Sequence, residues 1–239
     1  METSRAAVET DASALAALAL AHVRSGQVVG LGTGRAATAF VHALGRQVQQ
    51  GLRVTAVPTS EATAALARAL GIPLTSLDDS PSVDVTVDGA DEVDPRLDLI
   101  KGYGAALLRE KVVAAASRRL VILVGREKLV PVLGGRGRLP VEVVPFAVGL
   151  CRRRLADAGH APALRQRAGA PVVTDNGNVI LDCGVRAIAD PPALDQALRA
   201  IPGVVGTGLF LGMAETVLVW DGAGVTTLTR PAAPPPSDM

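Results

Sequence analysis

The chain has 239 residues, of which 49% are apolar and 20% charged, and its formal net charge is +1. This length allows one large domain or two small ones, and the composition is that of a globular protein. The near-neutral charge argues against a nucleic-acid-binding surface, and the longest apolar runs are too short to span a bilayer. We therefore expect a cytoplasmic protein with neither a nucleic acid nor a membrane as partner.

The first half of the chain predicts alternating helices and strands. A helix is expected over residues 12–24, a strand within QVVGLGTG (27–34) and a helix over 35–49. The next predicted elements are strand 53–60, helix 61–71, strand 72–77, strand 83–91, helix 104–118 and strand 119–125. This alternation is typical of parallel βαβ units, so we predict an α/β fold with a doubly wound, mainly parallel sheet.

The pattern changes after LGGRGRLP (133–140). The predicted elements are then strand 141–147, helix 148–159, two strands within 170–184 around an Asn176-Gly177 turn, a helix over 191–203 that opens with proline, and strand 204–210. The order β-α-β-β-α-β is that of a ferredoxin-like α+β unit.

These elements predict two domains and a tail. We assign residues 138–206 to the smaller ferredoxin-like domain. Residues 1–137 and 207–230, which include a hairpin over 215–230, are assigned to a Rossmann-like domain. The proline-rich residues 231–239 are predicted to be disordered.

A glycine loop, GLGTGRAA (30–37), lies between the first strand and the next helix. Backbone N–H groups at a helix N-terminus bind anions, and glycine allows close approach of the ligand. Gly32, Gly34 and Ala37 match the dinucleotide fingerprint in its G/A form, but no acid closes the second strand, as NAD binding requires. We therefore favour a phosphate monoester over NAD, with a turn that binds nothing as the alternative.

Carboxylates lie at the end of the predicted strand 83–91 and just after it. Because both this strand and the glycine loop end at the carboxyl edge of the predicted sheet, Asp88 and Asp91 are expected to face the same crevice as the loop. Glu92 and Asp94 are expected to face solvent.

Only three of the 24 basic residues are lysines, namely Lys101, Lys111 and Lys128, and all three follow these acids. Arginine cannot replace a compact, tunable ammonium group. We interpret Lys101 and Lys128 as functional and Lys111 as a chance placement on a helix face. Glu110 fits either a buried carboxylate with a raised pKa, useful for a base, or an ordinary surface residue.

The cysteines and histidines do not form a recognisable metal site. Cys151 and Cys183 lack CxxC spacing and are expected to be small buried hydrophobes. His22, His42 and His160 are scattered along the chain. We predict no metal site.

Six segments resemble, in order, ribose-5-phosphate isomerase of the A type: GLGTG (30–34), DGADEVD (88–94), IKGYGAALLREK (100–111), LPVEVVPFA (139–147), TDNGNVILD (174–182) and IPGVVGTGLF (201–210). The resemblance covers about residues 12–230. It implies interconversion of ribose 5-phosphate and ribulose 5-phosphate through an enediolate, in the non-oxidative pentose phosphate pathway and without a cofactor. It also implies a homodimer or homotetramer.

Carried over by position, the resemblance places the general base at Glu110 and sugar-contacting aspartates at Asp88 and Asp91. It places the oxyanion-side lysine at Lys101 and a further substrate lysine at Lys128. Since the sugar arrives mostly as a closed ring, we also predict that Asp88 opens it. The other predicted substrate contacts are Thr33, Gly34, Arg35, Ala36, Gly89, Ala90, Gly102, Tyr103 and Gly104.

Two positions depart from the pattern of the family. The loop usually reads TGST, whereas here Arg35 and Ala36 follow Gly34, so two hydroxyls are lost and a guanidinium is gained. A planar fork suits phosphate, but Arg35 could instead point to solvent while Thr38 supplies the hydroxyl. Tyr103 stands where the family usually has glycine, and we expect no positive φ there.

Two other functions stay open. A non-catalytic sugar-phosphate sensor would need a DNA-binding module, for which residues 1–25 are too short, and the pair Glu110 and Lys101 favours catalysis. An isomerase of a related sugar phosphate stays open because of the altered loop.

Overall fold

The computed structural model describes residues 12–230, and the predicted disordered tail lies outside the described residues. Residues 12–20 form α1. The other helices are α2 (Arg35–Gln49), α3 (Glu61–Ala69), α4 (Leu107–Ala115), α5 (Val148–Asp157) and α6 (Pro191–Arg199). The strands are β1 (Val28–Leu31), β2 (Thr55–Pro58), β3 (Val85–Gly89), β4 (Glu92–Val93), β5 (Leu99–Ile100), β6 (Leu120–Gly125), β7 (Arg138–Val143), β8 (Pro162–Leu164), β9 (Gln166–Arg167), β10 (Ala170–Pro171), β11 (Val179–Gly184), β12 (Val204–Thr207), β13 (Leu209–Phe210), β14 (Thr216–Trp220) and β15 (Val225–Thr229).

Six strands form the central sheet in the order β2-β1-β3-β6-β14-β15. Neighbouring strands are parallel except β14 and β15, which are antiparallel. The predicted α/β class with a mainly parallel sheet is therefore confirmed. The chain passes from β1 to β2 on one side and returns to β3 on the other, so the strand order reverses between β1 and β3. Ligands of open α/β sheets bind at such a reversal, beyond the carboxyl ends of the strands.

Alternate side chains of the central sheet belong to two different cores. In β6, Val121 and Leu123 pack in the core that includes Phe40 of α2. Ile122 and Val124 point to the opposite core, which includes residues between β3 and α4. Burial on both faces explains why this strand reads as an unbroken apolar run.

A second sheet has the order β12-β7-β11-β8 and is antiparallel throughout. Cys151 and Leu155 of α5 and Leu198 of α6 belong to its core. Strands and helices thus follow the α+β pattern expected for the second half of the chain. The domain boundaries at 138 and 206 stay a prediction.

Two strands were predicted at the wrong place. Residues 72–77 contain a single bridge, between Leu74 and Ala56, rather than a strand. On the side away from β7, the strand that pairs with β11 is β8, whereas Ala170 and Pro171 form a two-residue ladder with β9. Proline cannot donate a ladder hydrogen bond, so APVV is a poor strand despite its apolar residues.

The predicted strand 204–210 is divided at Gly208. Its first part, β12, pairs with β7, while its second part, β13, pairs with β5. A Cβ atom at Gly208 would lie 2.4 Å from the carbonyl oxygen of Lys101, so only glycine fits this crossing between the two sheets.

A three-stranded sheet, β13-β5-β4, was not predicted. Its strands have two residues each, too few to show a periodicity of two. The sheet matters because β5 ends at Ile100, directly before Lys101, and thereby fixes the start of the loop 101–106.

Cys151 and Cys183 are free and buried, as predicted. Between residues 12 and 230, no helix is both long enough and apolar enough to cross a membrane.

Candidate active site

A cleft of about 340 Å³ lies beyond the carboxyl ends of β1, β3 and β6. It is the crevice that the strand reversal predicts. Most of the predicted site residues line it: Thr33, Gly34, Arg35, Ala36, Gly89, Ala90, Asp91, Lys101, Gly102, Gly104, Glu110 and Lys128. Asp88 lies behind this wall, and Tyr103 lies beside it.

Asp88 is the penultimate residue of β3 and is almost completely buried, with 1% of its surface exposed. Its Oδ1 accepts hydrogen bonds from the backbone N–H groups of Thr33 (3.1 Å) and Gly89 (2.7 Å). Its Oδ2 lies 3.0 Å from the Nζ atom of Lys101. A Cβ atom on Gly32 would lie 2.2 Å from Asp88 Oδ1, so glycine in the loop makes room for this carboxylate.

Lys101 is 3% exposed and shares its ammonium group among three acceptors. Besides Asp88, Nζ contacts Glu110 Oε1 at 3.1 Å and donates to the carbonyl oxygen of Gly89. Burial works to lower the pKa of Lys101, but the charges of Asp88 and Glu110 outweigh it and hold the pKa above its ordinary value. Lys101 is therefore charged wherever the protein is folded near neutral pH.

Glu110 lies in the first turn of α4 and is 5% exposed, which settles the question that the sequence left open. Burial raises its pKa to about 8, although the neighbouring Lys101 acts to lower it, and the charge of Asp88 adds to the rise. One ammonium group cannot neutralise two carboxylates, so the second negative charge is unfavourable in this low-dielectric wall. A carboxylate with a pKa near neutrality is suited to act as a general base.

Asp91 stands at the cleft surface and is only partly buried. Its Oδ2 accepts a hydrogen bond of 2.9 Å from the backbone N–H of Tyr103. Burial raises its pKa, and the Tyr103 N–H opposes that rise. Tyr103 has no positive φ, as predicted, while Gly102 before it has φ 104°.

The opposite end of the cleft is the glycine loop. Gly34 is the N-cap residue of α2 with φ 106°, and no described side chain caps this helix. Arg35 and Ala36 line the cleft, with Arg35 exposed, whereas Thr38 is exposed and does not line it. The free N–H groups of the first turn can therefore bind an anion, with the Arg35 guanidinium beside them.

A group of hydroxyls beneath the glycine loop was missed in the sequence. Thr33 Oγ1 lies 2.8 Å from Thr59 Oγ1 and 2.9 Å from Ser60 Oγ, and Thr63 Oγ1 donates to the carbonyl oxygen of Gly32 at 3.0 Å. Ser60 also caps α3 by accepting from the Thr63 N–H at 3.1 Å. The capping signal at Ser60 is readable, but its proximity to Thr33 depends on the pairing of β1 with β2.

Lys128 lies in a 3-10 turn (Arg126–Lys128) after β6 and forms part of the cleft wall. Lys111, in contrast, was wrongly interpreted as a chance placement on a helix face. Its Nζ donates to the carbonyl oxygen of Thr207 at 2.7 Å and lies 4.9 Å from the centre of the Phe210 ring. Through the bond to Thr207, Lys111 joins α4 to β12 rather than pointing to solvent. Burial lowers the pKa of its amine to about 8.

The expectation that Glu92 and Asp94 face solvent is wrong. Glu92 is fully buried and accepts hydrogen bonds of 2.7 Å from the N–H groups of Gly134 and Arg136. Asp94 accepts 2.9 Å bonds from the backbone of a tight turn that ends at Asp98. Both carboxylates fix loops by accepting backbone N–H groups, a role that leaves no signal in hydropathy.

The fold and this cleft define an α/β enzyme that moves protons on a small anionic substrate, since a raised-pKa carboxylate faces a helix N-terminus across one crevice. The family described as ribose 5-phosphate isomerase A (phosphoriboisomerase A) matches residues 55–224. The chain belongs to this family.

Individual relatives agree with that assignment. The chain is 56% identical to the ribose-5-phosphate isomerase A of Roseiflexus sp. (strain RS-1), over 90% of this chain and 94% of that protein. It is 49% identical to that of Bradyrhizobium diazoefficiens, over 90% and 93%. The solved ribose 5-phosphate isomerase A of Methanocaldococcus jannaschii superposes with a TM-score of 0.88 at 39% identity, covering 92% of this chain and 99% of that one.

Proposed function

We propose that this protein interconverts D-ribose 5-phosphate and D-ribulose 5-phosphate through an enediolate, with Glu110 as the general base. The observation that carries the proposal is the contact between Glu110 and Lys101 in the buried wall of a cleft that ends at the N-terminus of α2. Membership of the family supports the choice of substrate. A relative with a TM-score of 0.89 and 38% identity was solved in complex with phospho-erythronic acid, a phosphorylated sugar acid.

Proton transfer by one carboxylate accounts for the reaction. Glu110 removes the proton from C2 of the open-chain aldose, the C–H electron pair forms the C1–C2 double bond, and the aldehyde π pair moves to O1. Glu110 then returns its proton to C1, and the proton of the C2 hydroxyl passes to O1, so that C2 becomes the ketone and C1 carries the primary hydroxyl. A single glutamate can serve both carbons because they are adjacent and share one face of the planar enediolate.

Lys101 stabilises the charge that this step creates. When Glu110 is ionised, its negative charge faces the Lys101 ammonium group, with Nζ 3.1 Å from Oε1. When Glu110 takes the proton, that charge disappears from the carboxylate and develops on the enediolate oxygen. Asp88 and the Gly89 carbonyl already hold the Lys101 ammonium in place, so it can stabilise the charge on the enediolate oxygen with little movement of its own. Such preorganisation is the basis of electrostatic catalysis.

The geometry favours Asp91 over Asp88 as the group that opens the sugar ring. Both oxygens of Asp88 are engaged, by Thr33, Gly89 and Lys101, and the side chain lies behind the cleft wall. Asp91 lines the cleft, where its carboxyl can exchange a proton with the ring oxygen or the anomeric hydroxyl, and burial raises its pKa in the direction that favours this exchange. Asp88 then acts by holding Lys101.

The phosphate group supplies binding energy away from the reacting carbons. We assign it to the N-terminus of α2, where Thr33 and Gly34 lead into the helix and Arg35 adds a positive charge. Binding at this end positions C1 and C2 against Glu110.

A coupled assay of the purified protein with ribose 5-phosphate, beside other pentose and hexose phosphates, tests the proposal. We expect turnover with ribose 5-phosphate to exceed that with the other sugar phosphates by at least tenfold. Binding of ribose 5-phosphate without turnover would instead indicate a sensor, and faster turnover of another aldose phosphate would reassign the substrate.

We also propose that the protein is a homo-oligomer. Phe146 is fully exposed, and Val173 and Leu150 also expose large apolar surfaces, which a partner subunit would cover. Sedimentation equilibrium of the purified protein distinguishes a dimer or tetramer from a monomer. The cytoplasmic location stays a prediction.

A further inference from the structure

We propose that Arg165 is a positioning residue for the isomerisation, which reaches from the small antiparallel sheet and holds the backbone of the loop that follows Lys101. The inference rests on the proposed role of Lys101. Arg165 does not line the cleft and touches none of the groups assigned to chemistry, so it would act only through that loop.

The side chain of Arg165 is 10% exposed and spans two parts of the fold. Its Nη1 donates to the carbonyl oxygens of Gly102 (2.7 Å) and Tyr103 (3.1 Å). Its Nε donates to Asp182 Oδ2 at 2.9 Å, and its Nη2 pairs with Asp182 Oδ1 at 2.5 Å. Asp182 lies on β11, so a bidentate ion pair fixes the guanidinium to the sheet while its remaining donor holds the loop.

The backbone of Arg165 is itself fixed. Its N–H donates to the carbonyl oxygen of Ile180, and its carbonyl oxygen accepts from the N–H of Val172, both at 2.9 Å. The guanidinium is thus anchored at its backbone and at Asp182 before it contacts the loop. A rigid anchor on the sheet can define the position of a flexible segment, whereas a contact between two flexible segments cannot.

The loop needs such an anchor because its sequence, KGYGAA, makes it intrinsically flexible. The Tyr103 N–H is held by Asp91, and Arg165 holds the Gly102 and Tyr103 carbonyls, so the loop is fixed from both the cleft side and the sheet side. The residue before these contacts is Lys101, and any shift of the Gly102 peptide moves the stem of that lysine.

A second arginine reinforces the same arrangement. The guanidinium of Arg138 lies 3.8 Å from the centre of the Tyr103 ring, and the Tyr103 hydroxyl donates to the Arg138 carbonyl oxygen at 3.2 Å. Arg138 Nε also lies 3.7 Å from Asp182 Oδ1. Asp182 therefore orients two arginines that both contact Tyr103, one through the ring and one through the backbone.

This arrangement predicts a signature that a purely structural role would not produce. If the loop relaxes, the ammonium of Lys101 moves away from Glu110, and the opposing effect of that ammonium on the pKa of Glu110 is weakened. The pKa of the base then rises further, and the acid limb of the rate–pH profile moves to higher pH. Simple loss of stability lowers the fraction of folded enzyme without moving this limb.

The experiment compares Arg165→Met with Arg167→Met, measuring kcat, KM, melting temperature and the rate–pH profile with ribose 5-phosphate. Arg167 is exposed on the neighbouring strand β9 and serves as the matched control for loss of an arginine. For Arg165→Met we expect kcat to fall roughly 10- to 100-fold, as for small misplacements of catalytic groups. KM should change less than about threefold, because the loop does not hold the phosphate, and the acid limb should move upward by about half a pH unit or more.

Two milder variants keep the test decisive if Arg165→Met does not fold. Arg165→Lys keeps a positive charge but cannot reach Asp182 and both carbonyls at once, and Asp182→Asn keeps the shape but weakens the ion pair. Both should shift the acid limb in the same direction by a smaller amount. If the folded variants at 165 and 182 match Arg167→Met in kcat and in pH profile, or lose stability alone, the positioning role is overturned.

Failure of the underlying function can be recognised separately. Wild type and Glu110→Gln are assayed in parallel. An inactive wild type, or a fully active Glu110→Gln, contradicts the proposed reaction whatever Arg165 does. A normal wild type with an inactive Glu110→Gln and an unaffected Arg165→Met overturns the positioning role alone.

Discussion

The two ends of the cleft hold their ligand groups in opposite ways. At the end assigned to proton transfer, Asp88, Lys101 and Glu110 are each no more than 5% exposed, and the Lys101 ammonium contacts both carboxylates at about 3 Å. At the end assigned to phosphate, Gly34 and Arg35 are exposed and the anion site consists largely of backbone N–H groups. The first end depends on the identity of side chains, and the second depends mainly on the path of the backbone.

This difference explains why the glycine loop can depart from the pattern of the family. Removal of one partner from a buried charged group leaves an uncompensated charge, which typically costs about 3–5 kcal/mol, so exchange of Asp88, Lys101 or Glu110 is costly. The first-turn N–H groups of α2 are supplied by any residue, so Arg35 and Ala36 can replace hydroxyl residues without loss of the site. Substitutions at the two ends should therefore differ both in size and in the kinetic constant that changes.

Glu110→Gln should have the largest effect. The amide keeps the shape of the side chain but cannot accept the proton from C2, so kcat should fall by at least the ~10²–10⁴ typical for loss of a general base. KM should stay within a few-fold of the wild-type value because the phosphate end is intact. Steady-state kinetics of the folded variant check this.

Glu215→Gln is the matched control, since Glu215 is exposed and pairs with Arg119 at the surface. It should retain wild-type kinetics. Near-normal turnover of a correctly folded Glu110→Gln protein would remove Glu110 from the mechanism.

Lys101→Arg should have the next largest effect. A guanidinium is wider and flatter than an ammonium, and the Lys101 ammonium is almost completely buried between Asp88, Glu110 and the Gly89 carbonyl. Misplacement of the donor should cost about 3–4 kcal/mol, the scale of losing one oxyanion donor, or roughly 150- to 900-fold in kcat. Isomerase assays of the folded variant check this.

Lys128→Arg supplies the contrast for this substitution. Lys128 is partly exposed at the cleft wall, so a guanidinium can be accommodated there and kcat should change less than about threefold. Lys111→Arg is unsuitable as a silent control, because the amine of Lys111 is enclosed by Thr207 and Phe210. If Lys101→Arg and Lys128→Arg change kcat by the same factor, the reaction does not require an ammonium group at position 101.

The pH dependence of kcat/KM should show the unusual environment of the base. Glu110 must be ionised to accept a proton, and burial raises its pKa to about 8, so kcat/KM should rise with pH and level off above about 8. Well below that pH the rate should fall about tenfold per unit. Lys101 has a raised pKa and stays charged, so it should produce no alkaline limb in this range.

The substrate phosphate titrates near pH 6, which separates its effect from that of Glu110. An acid limb at about 6 alone, with none near 8, would show that Glu110 is already ionised at neutral pH. Glu110 would then be more accessible to water during turnover than its burial in this structure indicates.

The sequence predicted the elements that have a clear hydrophobic periodicity or a clear start and end signal. Helix α2 was predicted at its observed bounds, 35–49, because an apolar stripe with helical spacing follows the glycine turn. The central sheet was predictable from alternating apolar strands and helices. The short strands β4, β5 and β13 were not, because pairing across distant parts of the chain, rather than local periodicity, defines them.

The same distinction applies to the site. Glu110, Lys101 and Asp91 were identified through residue type and resemblance, and they do line one cleft. The burial of Glu92 could not be predicted, since its partners are N–H groups at Gly134 and Arg136 that only the fold brings near. Arg165 was not identified for the same reason. It lies between the short strands β8 and β9, and nothing in the neighbouring sequence indicates that it contacts the carbonyl oxygens of Gly102 and Tyr103.

Arg35→Ala should have the smallest effect and should change KM rather than kcat. Arg35 is exposed and lies at the N-terminus of α2, so its contact with a phosphate is partly screened by water. We expect a contribution of about 1 kcal/mol, which corresponds to roughly a fivefold rise in KM, and this rise should shrink as the salt concentration increases.

A double variant, Arg35→Ser with Ala36→Thr, restores the two hydroxyls of the usual family loop and serves as the matched comparison. Hydroxyl groups bind phosphate by uncharged hydrogen bonds, so this variant should recover much of the affinity that Arg35→Ala loses, but with a weaker dependence on salt. If Arg35→Ala leaves KM and its salt dependence unchanged, the guanidinium points to solvent and the N–H groups of α2 bind the phosphate without it. A large fall in kcat would contradict the comparison itself, because the exposed end of the cleft would then take part in the chemistry of the buried end.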